Sequence, residues 1–133
     1  MILRIDHIGL AVNSIEEAAR LYTDVFGLKV KQIEIIKGQK VRVAIIPVGK
    51  SKIELIESTD REGAIAKFIE KRGEGIHHLA FEVSDIEGAL KLLKEKGVLL
   101  IDEQPREGIG NTRIAFLHPK GTKALIELVE IRK

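Results

Sequence analysis

The chain contains the same pattern of strand and helix signals twice, and this internal repeat restricts the possible folds more than any other feature. The segment IDHIGLAV at 5–12 matches IHHLAFEV at 76–83 in its apolar positions, and each has a histidine at its third position. Each segment is followed by a helix signal that ends at a glycine, Gly27 or Gly97. A repeat of this length predicts two copies of one supersecondary unit.

Each copy is predicted to run strand, helix and then three strands, which places the chain in the α+β class. The predicted strands of the two copies lie at about 2–12, 28–36, 40–48 and 52–57, and at about 76–84, 98–101, 111–118 and 122–131. We expect one domain over 1–133, with module 1 at about 1–58, a linking helix at about 59–73 and module 2 at about 74–133.

Helix caps and one long loop are also predicted from the residue pattern. Ser14 and Asp85 are expected to cap the two repeated helices, and Thr59 with Glu62 is expected to cap the linking helix. The Gly- and Pro-containing segment 102–111 is predicted to be a loop of the kind that often covers a site.

Composition excludes several classes of protein. The net charge is +2, the charges are interspersed and aromatic residues make up only 4%, so no nucleic-acid-binding surface is indicated. No run approaches the ~18 apolar residues of a membrane span, and no signal peptide is evident, so we expect a cytoplasmic protein without a membrane partner. The absence of cysteine excludes thiolate chemistry. A charged fraction of 32% with a single methionine suggests a thermophilic source.

Four chemically active residues recur in matched pairs. His7 aligns with His78, and Glu54 in KIELIE aligns with Glu127 in ALIELVE. A carboxylate among apolar strand residues is costly to bury unless it is paired or binds a metal. Two imidazoles and two carboxylates suit a divalent ion such as Co, Mn, Ni or Zn. We therefore predict one shared metal site, and we expect His77 to point away from it because neighbouring strand residues alternate.

Three other ionisable residues near these strands are not predicted to be metal ligands. Glu57 and Glu130 lie at odd separation from the predicted ligands and are expected to reach solvent. His118, at the end of a predicted strand, either lines the pocket or belongs to a turn.

The chain resembles the methylmalonyl-CoA epimerase family of the vicinal oxygen chelate superfamily. The resemblance covers essentially the whole chain and rests on IDHIGLAV, YTDVFGLKV, GIHHLAFEVSDIEGAL, KEKGVLLIDEQPREGIGNTRIAFLHPK and ALIELVE. It implies two tandem βαβββ modules forming a cleft-shaped eight-stranded mixed sheet, the glyoxalase fold, in a homodimer. It also implies metal ligands at His7, Glu54, His78 and Glu127.

The reaction implied by this resemblance is the epimerisation of a small-molecule acyl-CoA, methylmalonyl-CoA. The α-proton would be removed and returned through a metal-stabilised enolate, with Glu127 as one acid/base. Some family members carry a glutamate on the third strand where this chain has Val43, so the second acid/base is left between Glu54 and a metal-bound water.

Two alternatives stay open. A glyoxalase I-type lactoylglutathione lyase also uses two histidines and two glutamates, and a metal-free drug-binding protein of the same fold belongs to a different class.

Overall fold

The computed structural model describes residues 1–133 and contains eight strands and four α-helices. The strands are β1 Ile2–Ala11, β2 Gln32–Ile36, β3 Val41–Val48, β4 Ser51–Ser58, β5 Gly75–Val83, β6 Arg106–Glu107, β7 Thr112–Leu117 and β8 Ile126–Ile131. The helices are α1 Ile15–Arg20, α2 Ala64–Arg72, α3 Ile86–Glu95 and α4 Pro119–Thr122. A π-helical turn, Leu21–Val25, continues α1, and Lys37–Gln39 form a 3₁₀ turn.

The eight strands are hydrogen-bonded in the order β2-β3-β4-β1-β5-β8-β7-β6. Strands β1 and β4 are parallel, as are β5 and β8, whereas the pairs β2/β3, β3/β4, β6/β7 and β7/β8 are antiparallel. The predicted α+β fold with an eight-stranded mixed sheet is confirmed. The chain divides into two compact units, His7–His77 and Met1–Asp6 with His78–Lys133. We call them the first unit and the second unit.

In the first unit, helix α1 packs on one face of the sheet. The predicted cap is present: the Ser14 hydroxyl accepts a hydrogen bond from the Glu17 N–H. The helical segment ends before Gly27, whose φ of +73° is readily adopted only by glycine. The buried core between helix and sheet consists of Val12, Ile15, Ala44, Ile46 and Leu55. Because strand side chains alternate, Glu54 lies on the opposite face from its neighbour Leu55.

The second unit uses the same design. The Asp85 carboxylate caps α3 by accepting from the Gly88 N–H, as predicted, and Gly97 follows the helix with φ +86°. The apolar core beneath α3 consists of Val83, Ile86, Ala89, Leu90, Ala115, Leu117, Ile126 and Leu128. Leu128 belongs to this core, so the adjacent Glu127 points to the other face of β8.

The predicted strand at 98–101 is wrong. Only Leu100 forms a bridge, to Leu117, and the two-residue strand β6 lies instead inside the predicted loop 102–111. The physical reason is competition for the edge of β7. Residues of β6 occupy its partners at positions 113 and 114, and the Phe116 carbonyl accepts from both Ile101 and Asp102. Two successive N–H groups on one carbonyl form a bulge-like contact, which interrupts the regular ladder at this point.

Several element boundaries also differ from prediction. Strand β8 begins at Ile126 rather than at 122, because α4 and the left-handed Lys123, with φ +70°, precede it. Helix α2 begins at Ala64 with Gly63 as its N-cap, so the predicted Thr59/Glu62 cap is wrong.

A turn closed by the Asp60 side chain accounts for this later start of α2. Its carboxylate accepts from the Glu62 N–H at 2.8 Å, and its carbonyl accepts from the Gly63 N–H at 3.0 Å. None of the helices has the combined length and apolarity that a bilayer crossing would require.

Candidate metal and active site

The first unit holds His7 and Glu54 against each other. In the parallel β1/β4 ladder Glu54 lies opposite Gly9, two residues after His7 on the same face. The His7 Nε2 atom is 3.4 Å from Glu54 Oε1, and the two side chains are only 6% and 8% exposed. Gly9 has no side chain, so the imidazole and the carboxylate are not separated by an intervening group.

The second unit repeats this arrangement with His78 and Glu127. In the parallel β5/β8 ladder Glu127 lies opposite Ala80, again two residues after the histidine. The His78 Nε2 atom is 3.0 Å from Glu127 Oε1, and the side chains are 6% and 7% exposed. The two units therefore build the same buried His–Glu pair from the same ladder register.

Each pair has the chemistry and spacing of two metal ligands. Two ligand atoms about 2.1 Å from a common ion, at angles between octahedral and tetrahedral, lie about 3.0 to 3.4 Å apart. The observed Nε2–Oε1 separations of 3.4 Å and 3.0 Å match that range. Imidazole nitrogen with carboxylate oxygen favours a transition metal or zinc over Mg²⁺. The donor set thus fits a divalent ion in each unit's pair.

The two adjacent histidines separate as the strand register predicts. His78 is buried and faces Glu127, whereas His77 is partly exposed and its ring packs edge-on against Phe68 of α2, with centroids 5.0 Å apart. His77 therefore has an aromatic packing role on its own side of β5.

Apolar side chains surround the carboxylates. Ile45 is directly opposite Glu54, and Val43 is opposite Ile56 on the same face. Both Val43 and Ile45 are buried, so the third strand supplies no ionisable group beside Glu54.

In the second unit, Phe116 lies opposite Glu127. Its ring packs edge-on against His78, with centroids 5.8 Å apart. These apolar walls lower the local dielectric and strengthen any charge interaction on the two glutamates. Phe116 was not among the site residues predicted from the sequence. Its position in β7, two residues before the predicted strand end, was the only signal.

The prediction that Glu57 reaches solvent is wrong. The Glu57 carboxylate accepts from the Ile15 N–H at the start of α1, at 2.8 Å, and from Arg42 at 3.0 Å. Arg42 also bonds Glu16 at 3.0 Å, and these hydrogen bonds raise the pKa of the Arg42 guanidinium. An unsatisfied helix N-terminus attracts a carboxylate, and this determines where Glu57 points.

The same correction holds for Glu130 in the second unit. Its carboxylate accepts from the Ile86 N–H of α3 at 2.9 Å and from Arg113 at 2.9 Å. The Ile86 N–H and then Arg113 hold the pKa of Glu130 below its usual range. We call these two arrangements the helix-start clamps, Arg42–Glu57 and Arg113–Glu130. The signal that could have revealed them is the recurrence of an arginine 71 residues apart, at positions 42 and 113.

Of the two roles left open for His118, lining the pocket or belonging to a turn, the structure shows the turn. It is exposed and caps α4, and its Nδ1 accepts from the Lys120 N–H at 3.1 Å.

Comparison with known proteins gives matches over almost the entire chain. The Glyoxalase/Bleomycin resistance protein/Dioxygenase superfamily matches residues 6–116. The uncharacterized protein YqjC of Bacillus subtilis is 41% identical, covering 96% of this chain and 91% of its own. The ethylmalonyl-CoA/methylmalonyl-CoA epimerase of Cereibacter sphaeroides is 35% identical, covering 98% of this chain and 100% of its own.

A solved structure gives a similar result. A variant of Streptomyces coelicolor methylmalonyl-CoA epimerase in complex with 2-nitronate-propionyl-CoA superposes with a TM-score of 0.95. It is 34% identical, and the match covers 100% of both chains.

Proposed function

Because this chain belongs to the glyoxalase/bleomycin resistance protein/dioxygenase superfamily, we propose that it is a methylmalonyl-CoA epimerase. The observation that carries the proposal is the match to the Cereibacter epimerase, which extends over 98% of this chain and all of that one. A relative aligned from end to end supports a shared architecture and, with it, a shared substrate class. The substrate would be a branched malonyl thioester of coenzyme A.

We further propose that His7, Glu54, His78 and Glu127 bind one divalent ion, with Co, Mn, Ni and Zn as candidates. The support is the identical ladder register of the two buried pairs and the fit of their N–O spacing to metal ligands. A divalent cation, when bound, supplies a Lewis acid for the thioester and carboxylate oxygens next to the acidic carbon.

Glu127 is proposed to remove and return the α-proton. A carboxylate has two oxygens, so one can bind the ion while the other carries the proton. The apolar wall formed by Phe116, opposite Glu127, keeps water away from that oxygen.

The reaction also needs proton delivery to the opposite face of the carbon. Glu54 is proposed for that role, because Val43 cannot titrate and Glu54 is the counterpart of Glu127 in the first unit. If a water molecule rather than Glu54 delivers this proton, a Glu54→Gln variant should stay active.

Proton exchange tests the proposed function most directly. The protein, loaded with each candidate metal, is incubated with one epimer of methylmalonyl-CoA in deuterated water, and the α-position is followed by mass spectrometry and NMR. We expect deuterium uptake together with inversion, loss of both after EDTA treatment, and recovery after the metal is restored. A Glu127→Gln variant should keep its fold and lose at least a hundred-fold in rate. If no metal supports uptake, the proposal is wrong.

A second candidate function is favoured by one residue. Glu54 gives a set of two histidines and two glutamates, the set implied for glyoxalase I-type lyases by the resemblance. Formation of lactoylglutathione from methylglyoxal and glutathione, faster than the epimerisation, would establish that activity instead. Absence of any stoichiometric metal after gentle purification would favour the third alternative, a metal-free drug-binding protein.

We also propose that the protein is a cytoplasmic, heat-stable homodimer. Light scattering coupled to gel filtration and a thermal melt test the last two properties.

A further inference from the structure

In the second unit, a guanidinium lies on the same sheet face as the His78–Glu127 pair. Phe116 is opposite Glu127, Ile114 precedes it by two residues, and Arg106 of β6 is opposite Ile114. Directly opposite residues of an antiparallel ladder share a face, and so do residues two apart on one strand. Arg106 therefore projects from the sheet edge on the side that carries the pair.

The Arg106 side chain is held in place by two contacts. Its guanidinium carbon lies 5.5 Å from the centroid of the Phe116 ring, within the range of a cation–π contact. Its Nε atom is 3.2 Å from one oxygen of the Asp102 carboxylate and its Nη2 atom is 3.2 Å from the other, which also accepts from the Phe116 N–H at 2.9 Å. The long loop 102–111 is thus tethered to the strand whose Phe116 ring contacts His78.

Arg106 is the most exposed of three paired arginines on β6, on β7 and after β8, with its side chain 47% exposed against 39% for Arg132 and 24% for Arg113. Arg113 lies between Glu130 and Glu87, and Arg132 bonds both oxygens of Glu107. Arg106 bonds both oxygens of Asp102 through Nε and Nη2, one of these oxygens also accepts from the Phe116 N–H, and the Nη1 donors of Arg106 are left for a ligand. A preorganised guanidinium with spare donors is the group best suited to bind a carboxylate or phosphate.

We propose that Arg106 is a substrate-binding residue that receives an oxyanion of the acyl-CoA. This inference rests on the proposed function. The oxyanion is either the free carboxylate of the malonyl group or a phosphate of coenzyme A, and both present the same chemistry to a guanidinium. The ring of Phe116 then separates the binding charge on Arg106 from the metal ligands His78 and Glu127.

The test compares Arg106→Met with the matched control Asp102→Asn. The asparagine oxygen can still accept from the Phe116 N–H, so this control removes the ion pair while it retains the tether. Binding of methylmalonyl-CoA to the metal-loaded proteins is measured by calorimetry. We expect Arg106→Met to weaken binding at least ten-fold, Arg106→Lys to recover part of the loss, and Asp102→Asn to bind like the unmodified protein or more tightly. Equal weakening in Arg106→Met and Asp102→Asn would show a purely structural ion pair and overturn the inference.

Two truncated ligands distinguish the sources of the oxyanion. Propionyl-CoA lacks the free carboxylate, and methylmalonyl-pantetheine lacks the nucleotide phosphates. If the effect of Arg106→Met disappears with propionyl-CoA, the carboxylate is bound; if it disappears with the pantetheine thioester, a phosphate is bound. Unchanged affinity of Arg106→Met for every ligand overturns only this inference. Failure of the unmodified protein to bind any acyl-CoA overturns the proposed function as well.

Discussion

At the scale of single residues, the two His–Glu pairs differ from ordinary surface ion pairs in how little water reaches them. All four side chains are at most 8% exposed, and the strand neighbours of the two glutamates are apolar. A buried carboxylate keeps its charge only when a partner offsets the desolvation cost. A bound cation would offset this cost, which is why we propose metal binding for the pairs rather than a role in stability alone.

Adjacent histidines on one strand provide a matched pair of variants for this assignment. His78→Ala should lose at least ten-fold in metal affinity, because one ligand is removed. His77→Ala should bind metal normally, since His77 lies on the other face of β5 and packs against Phe68. Metal content after desalting, measured by mass spectrometry of the element, checks both. Equal losses in the two variants would contradict the assignment of His78 as a ligand.

At the scale of elements, the helix-start clamps join each repeated helix to the last strand of its module. Glu57 of β4 satisfies the first N–H of α1, and Glu130 of β8 satisfies that of α3. Each strand carries a predicted metal ligand three residues before its clamp glutamate, on the opposite face. The clamp therefore places a helix on one side of the strand while the other side faces the site.

The stabilisation that the Glu130 clamp provides should depend on pH, because it requires the charged carboxylate. Because the pKa of Glu130 is lowered in the folded state, its contribution to stability is present above the ordinary carboxyl pKa of about 4.3 and is lost as the pH falls through the folded value. Glu130→Gln should therefore cost about 1 kcal/mol at pH 7, and the difference should shrink in acid.

Thermal melts from pH 7 down to pH 3 measure this difference. Glu70→Gln, an exposed carboxylate of α2 without an ion pair, serves as the control and should melt like the unmodified protein at every pH. A constant gap between Glu130→Gln and the unmodified protein across the series would argue against a charge-dependent clamp.

The loop 102–111 depends on one glycine for close packing. A Cβ on Gly108 would lie 2.5 Å from Thr112 Oγ1 and 2.7 Å from Ile114 Cγ2, so Gly108→Ala requires these side chains or the loop itself to shift. We expect increased hydrogen exchange in the loop and, because Arg106 moves with it, at least three-fold weaker acyl-CoA binding. Gly38→Ala is the control, since a Cβ there meets nothing within 4 Å. Unchanged exchange in Gly108→Ala would show that the loop tolerates the extra atom.

At the scale of the whole molecule, the proposed ion links folding to metal binding. An ion that binds only the native protein stabilises it by about 2.7 kcal/mol at a hundred times its dissociation constant. Saturating Co, Mn, Ni or Zn should therefore raise the melting temperature by several degrees, and the rise should be largely lost in His78→Ala. We expect one ion per chain in a titration. Two ions per chain would mean that the His–Glu pairs form separate sites.

Much of this molecule could be predicted from sequence because the information is local or repeated. The caps at Ser14 and Asp85 and the orientation of His78 follow from short-range rules, and the presence of one histidine and one glutamate in each unit follows from the repeat. The resemblance to the superfamily, drawn from motifs, is confirmed by the comparisons.

Contacts between segments that carry no repeated or periodic signal were set by the tertiary structure alone. Glu57 and Glu130 lie on the strand face opposite to the predicted ligands, as the alternation of side chains requires. Each nevertheless binds a helix N-terminus that lies more than forty residues away along the chain. Strand β6 forms where the edge of β7 is available rather than where β-propensity is highest, and this placement sets Arg106 on the face of Glu127. Periodicity determines which face a side chain takes, whereas the partner it meets there depends on which distant backbone has a free donor.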